Sequence, residues 1–244
     1  MQFNKSSLTL GQCILVVILF TSTVYGKEFE KDSFNTGKGK LTIWFIGHGT
    51  LMFDFNGYII HIDPVGDYAD YSKLPKADLI LVTHEHGDHL DPKAISTIEK
   101  SGTKLIVNKG VFDKLGKGSM MKNGDEQTVD GIGIKAVPAY NTTNVQYHPK
   151  GRDNGYILQL GDKQVYVAGD TEDIPEMSRL KNIDIAFLPV NQPYTMTPAQ
   201  AAQAAKSFYP KILYPYHYGK TDIRQLKDLL QNEKEIDVRI RQLQ

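Results

Sequence analysis

The chain has 244 residues, 41% of them hydrophobic, with aromatic residues spread along its length, enough to bury the core of one large domain or two small fused units. Lysine and arginine together number 28, as do aspartate and glutamate, which excludes the strongly basic surface of a dedicated nucleic-acid binder and leaves small-molecule partners open. No linker or repeat interrupts the chain, so one domain is expected.

Residues 1–26 read as an export signal. Lys5 supplies a positive end, Cys13 to Phe20 an apolar core, and Val24-Tyr25-Gly26 a cleavage region with the cut after Gly26. The apolar run is far shorter than the roughly 20 residues that span a bilayer, so stable membrane insertion is not expected and the product would be periplasmic or secreted. Gln12 stands before Cys13 where a bacterial lipobox carries a small residue, which argues against a lipid anchor. Cleavage removes the only cysteine and with it all thiolate chemistry. Residues 27–40 form a polar lead-in, and residues 41–244 the folded domain.

From Leu41 the pattern is one of short strands: Leu41 to Ile46, Leu51 to Phe55 and Tyr58 to Ile62, the last two joined by the hairpin dipeptide Asn56-Gly57. Apolar runs at Asp78 to Thr83 and Lys104 to Asn108 flank Asp91-Pro92, which reads as an N-cap followed by a first-turn proline. Further strands are predicted at Gly133 to Val137, Tyr156 to Leu160, Val165 to Ala168 and Ile183 to Leu188, with Gly161-Asp162 turning the middle pair. Thr197 and Gln200 form a capping box for an alanine-rich helix to about Phe208, and a last helix covers Ile223 to Leu230.

The chemistry concentrates in Thr83-His84-Glu85-His86-Gly87-Asp88-His89, where an apolar strand ends and three imidazoles and a carboxylate crowd together. In such a loop His84 and His86 converge on one cation while Asp88 and His89 turn toward a second, with Gly87 giving the backbone its freedom. The competing readings are a single-metal site or a solvated polar turn. Four ligands cannot complete two coordination spheres, so further ligands should stand at other strand ends. Asp170 follows Gly169 after one strand, and His217 lies in Tyr214-Pro215-Tyr216-His217-Tyr218-Gly219 at the end of another.

Taken together, Thr83 to Leu90 resembles the HxHxDH signature of the metallo-β-lactamase superfamily, with Asp170 and His217 at the positions of its bridging aspartate and last histidine; the resemblance covers residues 41 to 219. Trp44 to Thr50, Ile62-Asp63-Pro64, Ala168 to Thr171 and Tyr216 to Gly219 resemble the branch that contains the ascorbate-6-phosphate lactonase and the N-acyl phosphatidylethanolamine phospholipase D. The resemblance implies an α/β fold, the four-layer αβ/βα sandwich, with metals at one sheet edge.

The chain departs from that pattern at one ligand. The family's third histidine would follow Pro138-Ala139-Tyr140, where Asn141 stands, and His148 lies seven residues on. Asn141 is a poor zinc ligand. Either a longer loop carries His148 into the vacated place, or His148 is a loop residue near the substrate and the first site is weaker. His48, between two glycines, reads as a substrate-pocket or supporting residue, against a packing role. Asp63 either accepts from a ligand imidazole or simply forms an Asp-Pro turn. His61, flanked by isoleucines, reads as structural. Tyr140, Tyr147, Tyr194, Tyr216 and Tyr218 read as packing residues near the site, one of which could donate to substrate.

The resemblance implies a metal-dependent hydrolase with two divalent metal ions, zinc first and manganese or iron as alternatives. A hydroxide bridging them would be the nucleophile, oriented by Asp88, and the ions would polarise the substrate and stabilise the departing oxygen. The expected substrate is a small ester, lactone or phosphoester. Alternatives are a phosphodiesterase acting on a lipid headgroup or nucleotide, and a non-catalytic metal-binding module. An iron-dependent oxygen reductase is disfavoured because His86 stands where that branch has glutamate, and the lactonase-like segments argue against β-lactam hydrolysis.

Overall fold

The computed structural model describes residues 29–243; the export signal expected over residues 1–26 lies outside them. Among the described residues the strands form two seven-stranded sheets. The first holds β1 (Lys31–Thr36), β2 (Gly39–Gly47), β3 (Thr50–Phe55), β4 (Tyr58–Ile62), β5 (Leu79–Leu81), β6 (Lys104–Val107) and β7 (Ser119–Met120). The second holds β8 (Glu126–Val129), β9 (Ile132–Ala139), β10 (Asp153–Leu160), β11 (Lys163–Val167), β12 (Ile185–Pro189), β13 (Ile212–Tyr216) and β14 (Asp237–Val238). Helices α1 (Pro92–Ile98) and α2 (Lys109–Leu115) belong to the first half, α3 (Pro198–Phe208) and α4 (Arg224–Leu229) to the second.

Each half follows one plan. The first four strands of each sheet pair antiparallel and the remaining three join in parallel. Parallel pairing needs a crossover, and α1 and α3 supply two of them, between β5 and β6 and between β12 and β13. Alternating side chains of β2, β3 and β4, such as Ile43, Phe45, Phe53 and Ile60, meet Tyr156, Leu158, Val165 and Phe187 between the sheets. The outer face of the first sheet buries Ile46, Met52, Ile80 and Val82 with Ile95 and Val111 of α1 and α2. This gives helix, sheet, sheet, helix, the four-layer sandwich.

Local signals hold where they are strong. Asn56 and Gly57 both have positive φ, 55° and 85°, as the tight turn between β3 and β4 requires. Asp91 caps α1 through the N–H groups of Lys93 and Ala94, and Thr197 and Gln200 make the reciprocal capping box of α3. The polar lead-in expected over residues 27–40 instead contains β1 and the start of β2. The reason is non-local. Asp32 of β1 takes two hydrogen bonds from Arg241 Nη2, 2.8 and 2.6 Å, and another from the Tyr214 hydroxyl, and these partners hold a polar segment as an edge strand. The run expected as a strand to Asn108 stops at Val107, because the Asn108 side chain accepts from Val111 N–H and starts α2.

Candidate metal centre

The ligand candidates gather at one edge of the sandwich because they follow the C-terminal ends of strands from both sheets. β5 is entirely buried and apolar, and three residues beyond its end the chain has left the sheet at His84. His89 and Leu90 N–H both return to the His86 carbonyl, 3.0 and 2.8 Å, closing a tight turn. Gly87, expected to free this backbone, has no left-handed φ, and a Cβ there would meet nothing, so the turn itself does not require it. Glycine is needed elsewhere. A Cβ on Gly49 would lie 2.7 Å from His89 Cε1, and Gly169, with φ of +67°, passes so close that a Cβ would lie 2.7 Å from the Asn154 carbonyl.

Second contacts decide which ring nitrogen each histidine presents. Asp63, fully buried, accepts from Thr83 N–H, Thr83 Oγ1 and His89 Nδ1, each at 2.7 Å. Since the Thr83 hydroxyl spends its proton on Asp63, it accepts from His84 Nδ1 at 2.9 Å. His148 Nδ1 donates to the buried Asp153 at 2.9 Å. In each of these three rings Nδ1 is thus committed to a neighbour, and Nε2 is the nitrogen that faces the space between the strand ends.

Three groups of ligand atoms lie within 4.8 Å of one another: His84, His86 and His148; His84, His89 and Asp170; and His48, Asp88, His89 and His217. Asp170 stands between them, with Oδ2 at 3.4 Å from His148 Nε2 and 3.3 Å from His217 Nε2. His48 Nε2 is 3.2 Å from Asp88 Oδ2, and its ring stacks on Tyr68. Asp88, whose side chain is 41% exposed, opens the cluster to solvent. His48, Asp63 and His217 all have φ near +50°, an expensive conformation for residues with side chains and one that tends to mark functional sites.

The charge balance fits cations. Burial would raise the Asp170 carboxyl, but the imidazoles of His217 and His89 outweigh it and hold the group well below the carboxylate range. Asp88 behaves alike: burial opposes ionisation, and hydrogen bonds from His217 and His48 dominate. Burial lowers His89, but Asp170 and Asp63 hold it well above an ordinary imidazole, whereas His84 is held well below by burial and by its neighbour His89. His84 Nε2, His89 Nε2 and Asp170 Oδ1 are buried with no hydrogen-bond partner. Buried polar atoms are rarely left so, and a convergent set of imidazole and carboxylate donors is what a divalent metal accepts. The residues fit the metals.

The structure brings His148, not Asn141, beside His84 and His86, with ring centroids 5.0 and 4.9 Å away. Asn141 turns its amide to the Tyr194 and Asn144 carbonyls, and its backbone N–H closes the loop on the His148 carbonyl. Of the tyrosines, Tyr140, Tyr216 and Tyr218 spend their hydroxyls on Glu176, the Gly169 carbonyl and the Arg241 carbonyl, while Tyr147 and Tyr194 stack edge to face, 4.9 Å apart. His61 is buried and donates to the Pro75 carbonyl. Sequence reasoning missed Asp153, Arg152, Tyr68 and Glu172. Arg152 grips Asp153 through Nε and Nη2 at 2.7 and 2.9 Å and lies 3.5 Å from His86 Nε2. A cavity of about 760 Å³ over Val137, Ile157, Tyr166 and Met177 is lined by none of the ligand candidates.

The fold and the histidine cluster are those of the metallo-β-lactamase fold, and residues 42–217 match the beta-lactamase superfamily domain, so the chain belongs to that superfamily. Within it the chain belongs with the UPF0173 metal-dependent hydrolases: it is 33% identical over 188 residues to the one from Thermococcus kodakarensis, covering 72% of this chain and 83% of the relative. The crystal structure of a proposed metal-dependent hydrolase from Parabacteroides distasonis is similar at 62% identity, with a TM-score of 0.87 over 89% of this chain and all of that one. Igni18, a metallo hydrolase from Ignicoccus hospitalis, is similar at 27% identity, with a TM-score of 0.72 over 83% of this chain and 95% of its own.

Proposed function

We propose that the protein hydrolyses a small ester, lactone or phosphoester at a pair of divalent cations, with zinc as the first candidate. The observation that carries this reading is the set of seven convergent donors in overlapping groups joined by Asp170. His84, His86 and His148 would hold one cation, Asp88, His89 and His217 the other, and Asp170 both. When bound, such a pair supplies Lewis-acid polarisation and lowers the pKa of water from about 15.7 toward 7. His89, held protonated by Asp170 and Asp63, would give up its Nε2 proton in order to hold a cation, so metal binding would weaken toward acid pH.

The chain's own residues supply orientation. Asp88, ionised and at the mouth, accepts a hydrogen bond from the attacking water and points it at the substrate, while His48 restrains that carboxylate at 3.2 Å. Arg152 spends its charge on Asp153 and on Glu85, 3.4 Å away. That favours a neutral ester or lactone over a multiply charged phosphate. The segments that resemble the lactonase and phospholipase D branch fit a lactone and a phosphodiester alike, so a phosphodiester is kept as the second class.

The test is metal content by plasma mass spectrometry on wild type and His148→Ala, with generic ester, lactone and phosphodiester hydrolysis followed alongside. Two metals falling toward one in the variant, with activity lost, is the expected result. Unchanged metal content would remove His148 from the site. No metal in replete wild type would end the hydrolase reading, and two metals without activity on any substrate would favour a binding module.

A further inference from the structure

The loop that delivers His148 has no core of its own. Between Asn141 and His148 no side chain is buried, and Val145 is 51% exposed. A segment of this kind would ordinarily be mobile, yet it must hold an imidazole beside His84 and His86. Its order comes from outside. Glu172, with no exposed surface, points its carboxylate into the start of the loop and accepts from Thr142 N–H at 2.8 Å, Thr142 Oγ1 at 2.7 Å, Thr143 N–H at 2.8 Å, the Thr143 hydroxyl, and Asn144 N–H at 3.3 Å. Three successive N–H groups wrapped round one carboxylate make the kind of concave nest that binds free anions, here filled by the chain itself.

Glu172 is also tied to the centre. It lies two residues beyond Asp170, its own N–H donates to the Tyr140 carbonyl at 3.0 Å, and the intervening Thr171 exchanges hydrogen bonds with Tyr140 N–H and carbonyl at 3.1 and 2.9 Å. The strand end that supplies Asp170 is thus zipped to the residues that launch the loop. From Asn144 only four residues remain to His148, whose ring is caught by Asp153. No cation pairs with Glu172 among the described residues, so its burial rests on the loop alone. A buried carboxylate of that kind specifies one conformation rather than merely adding stability.

From this we infer that Glu172 is a positioning residue for His148: it fixes the displaced loop relative to Asp170 so that His148 completes the three-histidine group. The inference rests on the reading of His148 as a metal ligand. Glutamine is close to isosteric, but its amide would face N–H and O–H donors, so the loop would be released with little change elsewhere.

The experiment titrates the metal-free full-length protein with cobalt(II), following visible absorption and binding heat, for wild type, Glu172→Gln, Thr143→Val and His148→Ala. Wild type should show two binding events, and His148→Ala should lack one. Glu172→Gln should weaken that same event 10- to 100-fold and remove its absorption bands while leaving the other event in place, and Thr143→Val, which deletes one of the five contacts, should weaken it several-fold. A structural defect alone would weaken both events and leave the bands of any bound cobalt unchanged. Wild-type affinity and spectrum in Glu172→Gln would overturn the role of Glu172 while His148→Ala still lacks an event. Two events in His148→Ala would overturn the ligand reading beneath it. Should Glu172→Gln fail to fold, Thr143→Val decides: an unchanged first event overturns the inference.

Discussion

Replacing Asp63 by asparagine should strike both metal positions at once. Oδ1 of Asp63 accepts from Thr83 N–H, and Oδ2 accepts from Thr83 Oγ1 and His89 Nδ1, all at 2.7 Å inside the protein. If the amide oxygen takes the place of Oδ2, its NH2 faces the Thr83 N–H and two buried donors oppose each other. If it takes the place of Oδ1, the NH2 faces Thr83 Oγ1 and His89 Nδ1. His89 must then accept, which moves its proton to Nε2. Thr83 must donate to His84 Nδ1, which moves that ring's proton to Nε2 as well. The first placement costs about 1–3 kcal/mol for an unsatisfied buried donor, and the second turns the metal-facing nitrogens of both rings into N–H donors. Loss of such a supporting contact lowers metal affinity about 10- to 100-fold. Competition against a chromophoric chelator should show that loss at both metals, and urea unfolding of the metal-free protein should show the stability loss. Affinities within twofold of wild type together with an unchanged urea midpoint would refute the argument.

Three further outcomes are expected. Gly49→Ala places a Cβ 2.7 Å from the buried His89 ring, an overpacking worth about 1–3 kcal/mol, and dialysed protein should retain less metal than wild type; full occupancy would show that the ring can yield. Burial holds His61 down to about 4, against the bond to the Pro75 carbonyl, so the unfolded chain takes up its proton first. Its contribution is complete above pH 6.5 and falls as the pH drops toward 4, by about 3 kcal/mol in all. His61→Gln should lose less stability than wild type between pH 7 and 4, and parallel losses in urea unfolding would contradict this. Export with cleavage after Gly26 predicts a mature protein beginning at Lys27, which N-terminal sequencing of cell fractions reads directly; retention of Met1 in the cell interior would dismiss it.

What could be read from the sequence was what is local. The turn at Asn56-Gly57, the Asp91 cap and the Thr197 box are written within a few residues, as are the four donors from His84 to His89, and these carry the superfamily's architecture. The edge strand β1 was illegible because Lys31 to Thr36 is polar and is held by Tyr214 and Arg241 from the other end of the chain. Helix α2 carried signals that the apolar run before it obscured: Asn108 at its start and Gly116, with φ of 66°, at its end. The loop that brings His148 to the place Asn141 vacates depends on Glu172 and Asp153, ordinary acidic residues whose roles exist only once distant strands have been brought together.

The repeated plan of the two sheets has a mechanical consequence. His84, His86, Asp88 and His89 follow strands of the first sheet, and His148, Asp170 and His217 follow strands of the second, so neither half of the chain carries a whole centre. Metal bound there would act as a clasp across the seam, and its binding free energy would be felt as adhesion between two layers rather than as stiffness within either one. Removing it with a chelator would loosen the seam between the sheets while leaving the hydrogen-bonded ladders on both sides intact.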